Sequence, residues 1–168
     1  MTAAGPFTIR EDMEYAPFRD LLQEVIKKKP DVLILLGPFV DISQPIVASG
    51  DLILIETIAD ENNENVQEVS RMTASYEMAF IQNIITNGLK SLFNSEAEYG
   101  YLPTNIILIP SLLDAHHEFV FPQPPFGDRD EVKASFLEES LGVLQLPYSK
   151  DTDKRKRVHV MPNPCMFR

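Results

Sequence analysis

The chain has 168 residues, 44% of them hydrophobic, and 25 acidic against 15 basic side chains give a formal net charge of −10. This length fits one domain that can bury a sizeable core. The acidic balance argues against broad capture of DNA or RNA, which needs Lys and Arg along the phosphates. The single cysteine, Cys165, excludes an internal disulfide, and an intracellular protein without a signal peptide or membrane span is expected.

The first 36 residues predict a strand, a helix and a second strand. Residues 1–4 form the first strand, which ends at the Gly5-Pro6 pair. A helix is predicted over 17–29, because Pro17 suits its first turn and Pro30 ends it. Its apolar stripe follows helical spacing: Phe18, Leu21, Leu22, Val25 and Ile26. The continuous apolar run 32–36 predicts a strand that is buried on both faces.

The apolar residues in the middle of the chain follow a less regular spacing than those of the first 36 residues. Residues 41–68 look irregular and acidic, with a possible short edge element at 52–55. An imperfect apolar stripe predicts a second long helix over 69–93.

The last third adds two more apolar segments. We predict a second buried strand at 106–109, a short helix near 133–141 and a third apolar segment at 158–161. Alternation of strands with helices predicts an α/β layered fold with a parallel sheet. Chemistry in such folds gathers beyond the carboxyl ends of the strands, here the loops 5–8, 37–41 and 110–118.

The loop LLGPFVD (35–41) places Gly37 at the end of a buried strand and a carboxylate, Asp41, four residues later. Two-metal phosphoesterases have Gly-Asp-x-x-Asp at such a turn, and the first Asp bridges both cations. Pro38 stands at that bridging position and offers no ligand. Asp41 is then either a surviving ligand or, as we prefer, a carboxylate that caps its own turn.

The loop IPSLLDAHHE (109–118) follows the next buried strand. Phosphoesterases carry Gly-Asn-His-Asp/Glu there, and Ser111, Leu112, Leu113 and Asp114 occupy the four places. The metal ligand has become Leu112 and the general acid Leu113. Loss of a general acid alone typically costs ~10²–10⁴ in rate, so catalysis by this machinery is not expected.

Other polar groups offer alternatives that the residues alone leave open. Asp114, His116, His117 and Glu118 are potential metal ligands, but adjacent histidines in an extended loop point in opposite directions, which favours structural or surface roles. The basic tract 154–157 could contact nucleic acid or act as a localisation signal, although a solvated insertion is the simpler interpretation. Cys165 has no neighbouring base, so we expect it to be packed in the core.

Four stretches in these loops resemble one known family, the B subunit of eukaryotic DNA polymerase α, which is the non-catalytic second subunit of the polymerase α–primase complex. The matching stretches are AAGPFT (3–8), PDVLILLGPFVDISQPIVASGD (30–51), IILIPSLLDAHHEFVFPQPPF (106–126) and VHVMPNPCMF (158–167). The sequence DISQPIVASGD is most similar to the fungal-type branch of this family.

The resemblance implies an inactivated, calcineurin-like phosphoesterase fold over residues 1–168 that serves as a scaffold in a nuclear replication complex. Gly37, Pro38, Asp41, Ser111, Leu112, Leu113 and Asp114 would be vestigial active-site positions, with no catalytic residue, metal or cofactor. The implied partners are the C-terminal domain of the polymerase catalytic subunit and, indirectly, primase. Direct DNA contact stays open.

The resemblance also implies a partial domain, since the barrel and N-terminal regions of the family are absent from these residues. We therefore expect the isolated fragment to aggregate or to need a partner.

The alternatives to a scaffold subunit of polymerase α are an active metal-dependent phosphodiesterase or nucleotidase, and the equivalent B subunit of DNA polymerase δ or ε.

Overall fold

A computed structural model describes residues 1–9, 12–59, 67–94, 105–126 and 158–166. Its main sheet has the strand order β1-β2-β5-β6 with every neighbouring pair parallel. These strands are β1 (Thr2–Ala4), β2 (Val32–Leu36), β5 (Asn105–Ile109) and β6 (Val158–Val160). The predicted α/β fold with a parallel sheet is therefore confirmed.

The first helix, α1 (Ala16–Lys28), confirms the prediction from the apolar stripe. Pro17 lies in its first turn, and Lys27 and Lys28 place positive charge in its last turn, where the helix dipole is negative. Lys29 has a left-handed conformation, and its N–H donates to the carbonyl of Val25 at 2.9 Å, which ends the helix.

The two faces of the sheet differ in burial. Leu33 and Leu35 are fully buried and lie in register with Ile106 and Leu108, within the core that the helices share. On the opposite face, the alternate residues of β2 are only half-buried. The prediction that β2 is buried on both faces is therefore wrong for one face.

The middle of the chain departs from the sequence prediction in two places. A short helix, α2 (Pro45–Ser49), is followed by β3 (Ile53–Ala59) and β4 (Gln67–Thr73), which pair antiparallel as a separate two-stranded sheet. The possible short edge element at 52–55 thus belongs to a strand of this separate two-stranded sheet. Residues 69–73 are a strand and not the start of a helix, because pairing with β3 overrides a weak local helical pattern.

The second helix begins at Tyr76, where the Ser75 hydroxyl accepts the Met78 N–H at 3.1 Å and caps it. It continues through α3 (Tyr76–Phe80), a π-helical segment (Ile81–Leu89) and α4 (Lys90–Asn94). Its buried Gly88 lies against the ring of Phe18 in α1, with no space for a Cβ atom. A glycine there lets the two helices approach closely.

Two predicted features, the short helix at 133–141 and the basic tract at 154–157, lie outside the described residues. The apolar segment at 158–161 is confirmed as a strand by β6. Cys165 is half-exposed, so the prediction that it is packed in the core is wrong. Among the described residues, no helix has the length and apolar character needed to cross a membrane.

Candidate functional site

The parallel strands bring the loops that follow β1, β2, β5 and β6 to one end of the sheet. The main-chain hydrogen bonds between neighbouring strands continue into these loops at two glycines. The N–H of Gly5 donates to the carbonyl of Leu36, and the N–H of Gly37 donates to the carbonyl of Ile109, both at 2.8 Å. A Cβ atom at Gly37 would collide with a carboxylate oxygen of Asp114 and would lie 2.9 Å from the Ser111 nitrogen. The absence of a side chain at position 37 is what allows the two predicted loops to touch.

The side chain of Asp114 connects these loops. It is fully buried, and its Oδ1 accepts the N–H groups of Phe39 and, at 3.1 Å, Val40. Its Oδ2 accepts the N–H of Ser111 at 2.7 Å. One carboxylate therefore satisfies three main-chain donors from the turns that follow β2 and β5.

Main-chain hydrogen bonds reinforce this connection. The N–H of Ile42 donates to Leu113 at 2.9 Å, and the N–H of Ala115 donates to Val40 at 2.8 Å, forming an antiparallel bridge between Asp41 and Asp114. The two loops thus form one hydrogen-bonded layer over the strand ends.

Asp41 is also buried, but its carboxylate turns back to its own loop. Its Oδ1 accepts the N–H of Ser43 at 2.9 Å, and its Oδ2 accepts the Ser43 hydroxyl at 2.6 Å. This is the turn-capping role that we preferred from the sequence. Both of these buried carboxylates are therefore engaged by the protein's own donors.

Burial raises the pKa of Asp114 to about 6, because the charged form loses its hydration. The hydrogen bonds from Ser111, Phe39 and Val40 favour the ionised form and hold the pKa below the value that burial alone would give. The nearby charge of Asp41 makes the smallest contribution to the raised pKa. A carboxylate with this balance of interactions serves as a structural acceptor.

His116 lies between two aromatic rings. Its ring centroid is 4.3 Å from that of Phe80 and 5.0 Å from that of Phe126, and the ring planes differ by 17° and 19°. Neither ring nitrogen has a hydrogen-bond partner among the described residues, although Nδ1 lies 3.9 Å from Asp114 Oδ1. Burial and, to a smaller extent, the neighbouring charge of His117 lower the pKa of His116 to about 3, so the ring is neutral.

The expectation that the two histidines point in opposite directions is wrong, because the chain turns at this point instead of staying extended. Both rings contact Phe126, and the Nε2–H of His117 donates to the carbonyl of Pro124 at 2.7 Å. Among the described residues, no three His, Cys, Asp or Glu side chains come together in a group that could hold a metal ion.

Phenylalanine rings fill the volume behind the two loops. Phe39 is buried at the centre, with its ring centroid 5.4 Å from Phe7, 5.6 Å from Phe80 and 5.7 Å from Phe126. The buried hydroxyl of Tyr15 donates to the Phe39 carbonyl at 2.7 Å. The end of the sheet that carries active sites in comparable folds is therefore a packed aromatic cluster.

The remaining predicted site residues lie around this layer. Pro38 is buried against Gly5, and Ser111 is half-buried. Leu112 and Leu113 are 42% and 48% exposed, so neither contributes to the core. The structure thus brings the predicted positions together at one end of the sheet, but with the hydrocarbon side chains of the second loop pointing to solvent.

The sequence analysis missed two buried glutamines. Gln123 donates from its amide to the carbonyls of Ser111 at 2.9 Å and Glu118 at 3.0 Å. Gln44 donates to the Thr8 hydroxyl at 2.6 Å and to the Ile9 carbonyl at 2.7 Å. The sequence feature that could have identified them is a polar residue within an otherwise apolar motif, such as the Gln of PQPPF.

Comparison with known sequences gives a consistent match. A sequence model of one family, the B subunit of DNA polymerase alpha/epsilon, matches residues 1–168. The B subunits of DNA polymerase alpha are 31% identical in Rattus norvegicus and 28% in Bos taurus, each over 98% of this chain and 20% of the relative. The Dictyostelium discoideum protein of the same name is 29% identical over 82% of this chain and 17% of its own length. The chain thus spans about a fifth of the length of these curated relatives.

Replacing Asp114 with Asn tests its role as the connection between the loops. Asp114→Asn keeps the shape of the side chain but replaces one accepting oxygen with an NH2 group. This group faces main-chain N–H donors and leaves at least one buried N–H unsatisfied. We expect the free energy of unfolding in urea at pH 7 to fall by about 1–3 kcal/mol. The exposed Asp51→Asn is the matched control and should stay within about 0.5 kcal/mol of wild type. Unchanged stability in Asp114→Asn would contradict this role.

The pH dependence of stability follows from two opposed groups. Below its ordinary pKa of 6.5, His116 is protonated in the unfolded chain but stays neutral in the folded chain down to about pH 3, so acid destabilises the fold. Asp114 works oppositely, because the folded chain takes up its proton near pH 6 and the unfolded chain near 3.8. Its contribution to stability therefore rises as the pH falls from 6 to 3.8.

We predict that His116→Phe removes the acid destabilisation caused by His116 and leaves the opposite contribution of Asp114 in place. The difference in unfolding free energy between the variant and wild type should shift in favour of the variant by about 1.4 kcal/mol per pH unit below pH 6. Urea unfolding at pH 8, 6 and 5 measures it, and the value at pH 8 is the internal control. A difference that is independent of pH would contradict a buried, neutral His116.

Proposed function

The chain belongs to the family of the DNA polymerase alpha/epsilon B subunit, and from this membership we propose that it is a non-catalytic accessory subunit of DNA polymerase alpha–primase. The curated relatives from rat, cattle and Dictyostelium carry the alpha name, which favours alpha over the equivalent subunits of polymerases δ and ε. In this role the chain tethers the polymerase catalytic subunit during initiation of DNA replication, in the nucleus.

One observation carries the non-catalytic part of this proposal. The oxygens of Asp114 accept N–H groups from Phe39, Val40 and Ser111 at the strand ends, so this buried carboxylate is engaged by the chain's own main-chain donors. A two-metal phosphoesterase needs free carboxylate and imidazole ligands at that place. The packed ring of Phe39 behind the loops supports the same conclusion.

We further propose that residues 1–168 form a calcineurin-like phosphoesterase-type layered domain that has lost its catalytic groups. Four parallel strands with both diagnostic loops at one end support this proposal. Gly37, Pro38, Asp41, Ser111, Leu112, Leu113 and Asp114 are its vestigial active-site positions. Assignment to the fungal-type branch of the family stays a prediction from the sequence DISQPIVASGD.

The proposed partner is the C-terminal domain of the alpha catalytic subunit, with primase held indirectly. No membrane partner is proposed. The alternative of an active metal-dependent phosphodiesterase or nucleotidase is supported only by the closeness of Asp41, Asp114 and His116. Since the donors around them engage both carboxylates, this alternative is the weaker one.

Co-purification tests the scaffold role. The full-length protein is co-expressed separately with the catalytic subunits of polymerases alpha, delta and epsilon, and each pair is passed over size-exclusion chromatography. We expect a stoichiometric complex with the alpha subunit alone. Preferential retention of the delta or epsilon subunit, or failure to retain alpha, would overturn the proposal.

The same preparation distinguishes the scaffold from an enzyme. We expect no hydrolysis of a chromogenic phosphodiester above background with Mn²⁺ or Zn²⁺, and no change on Asp41→Asn. Metal-stimulated turnover that Asp41→Asn abolishes would establish the phosphoesterase alternative.

A further inference from the structure

We draw no further inference here: the strongest candidate, the patch of exposed apolar side chains in the loop that follows β5 (Leu112, Leu113, Phe119, Val120 and Phe121), carries none because nothing in the described part of the structure shows what covers it.

Discussion

The arrangement of this end of the fold depends on one buried carboxylate. Asp114 accepts N–H groups from Phe39, Val40 and Ser111. The buried N–H groups of Phe39 and Val40 would otherwise be unsatisfied, at a cost of about 1–3 kcal/mol each. The carboxylate can approach them only because Gly37 has no side chain. The interaction joins the turns after β2 and β5, which are adjacent parallel strands of the main sheet.

This connection determines which side chains lie inside and which lie outside. Phe39, held by its N–H to Asp114 and by its carbonyl to Tyr15, becomes the centre of the aromatic cluster. Leu112 and Leu113, two residues that separate Ser111 from Asp114, are exposed by the same turn. The physical result is a buried aromatic interior beneath a loop whose large apolar side chains are exposed.

Elements with a strong local pattern were predictable from the sequence, and those that depend on distant contacts were not. The apolar run of β2 and the stripe of α1 each specify their own structure, and both were predicted within a residue or two. The strand at 69–73 forms only because β3 pairs with it, which no local period reveals. At the site, the loops were predicted correctly from strand ends, but the hydrogen bonds from Phe39 and Val40 to Asp114 join residues 75 and 74 positions apart in the chain.

The central proposal is that this end of the sheet corresponds to the place where a phosphoesterase holds its cations, and that the chain's own donors and rings fill it. Anomalous scattering from crystals of the protein soaked in Mn²⁺ tests this claim most directly. The account predicts no anomalous peak between the loops 37–41 and 110–118, and the carboxylate of Asp114 still within hydrogen-bond distance of the Phe39, Val40 and Ser111 nitrogens. A pair of manganese peaks between Asp41 and Asp114, with those hydrogen bonds broken, would contradict it.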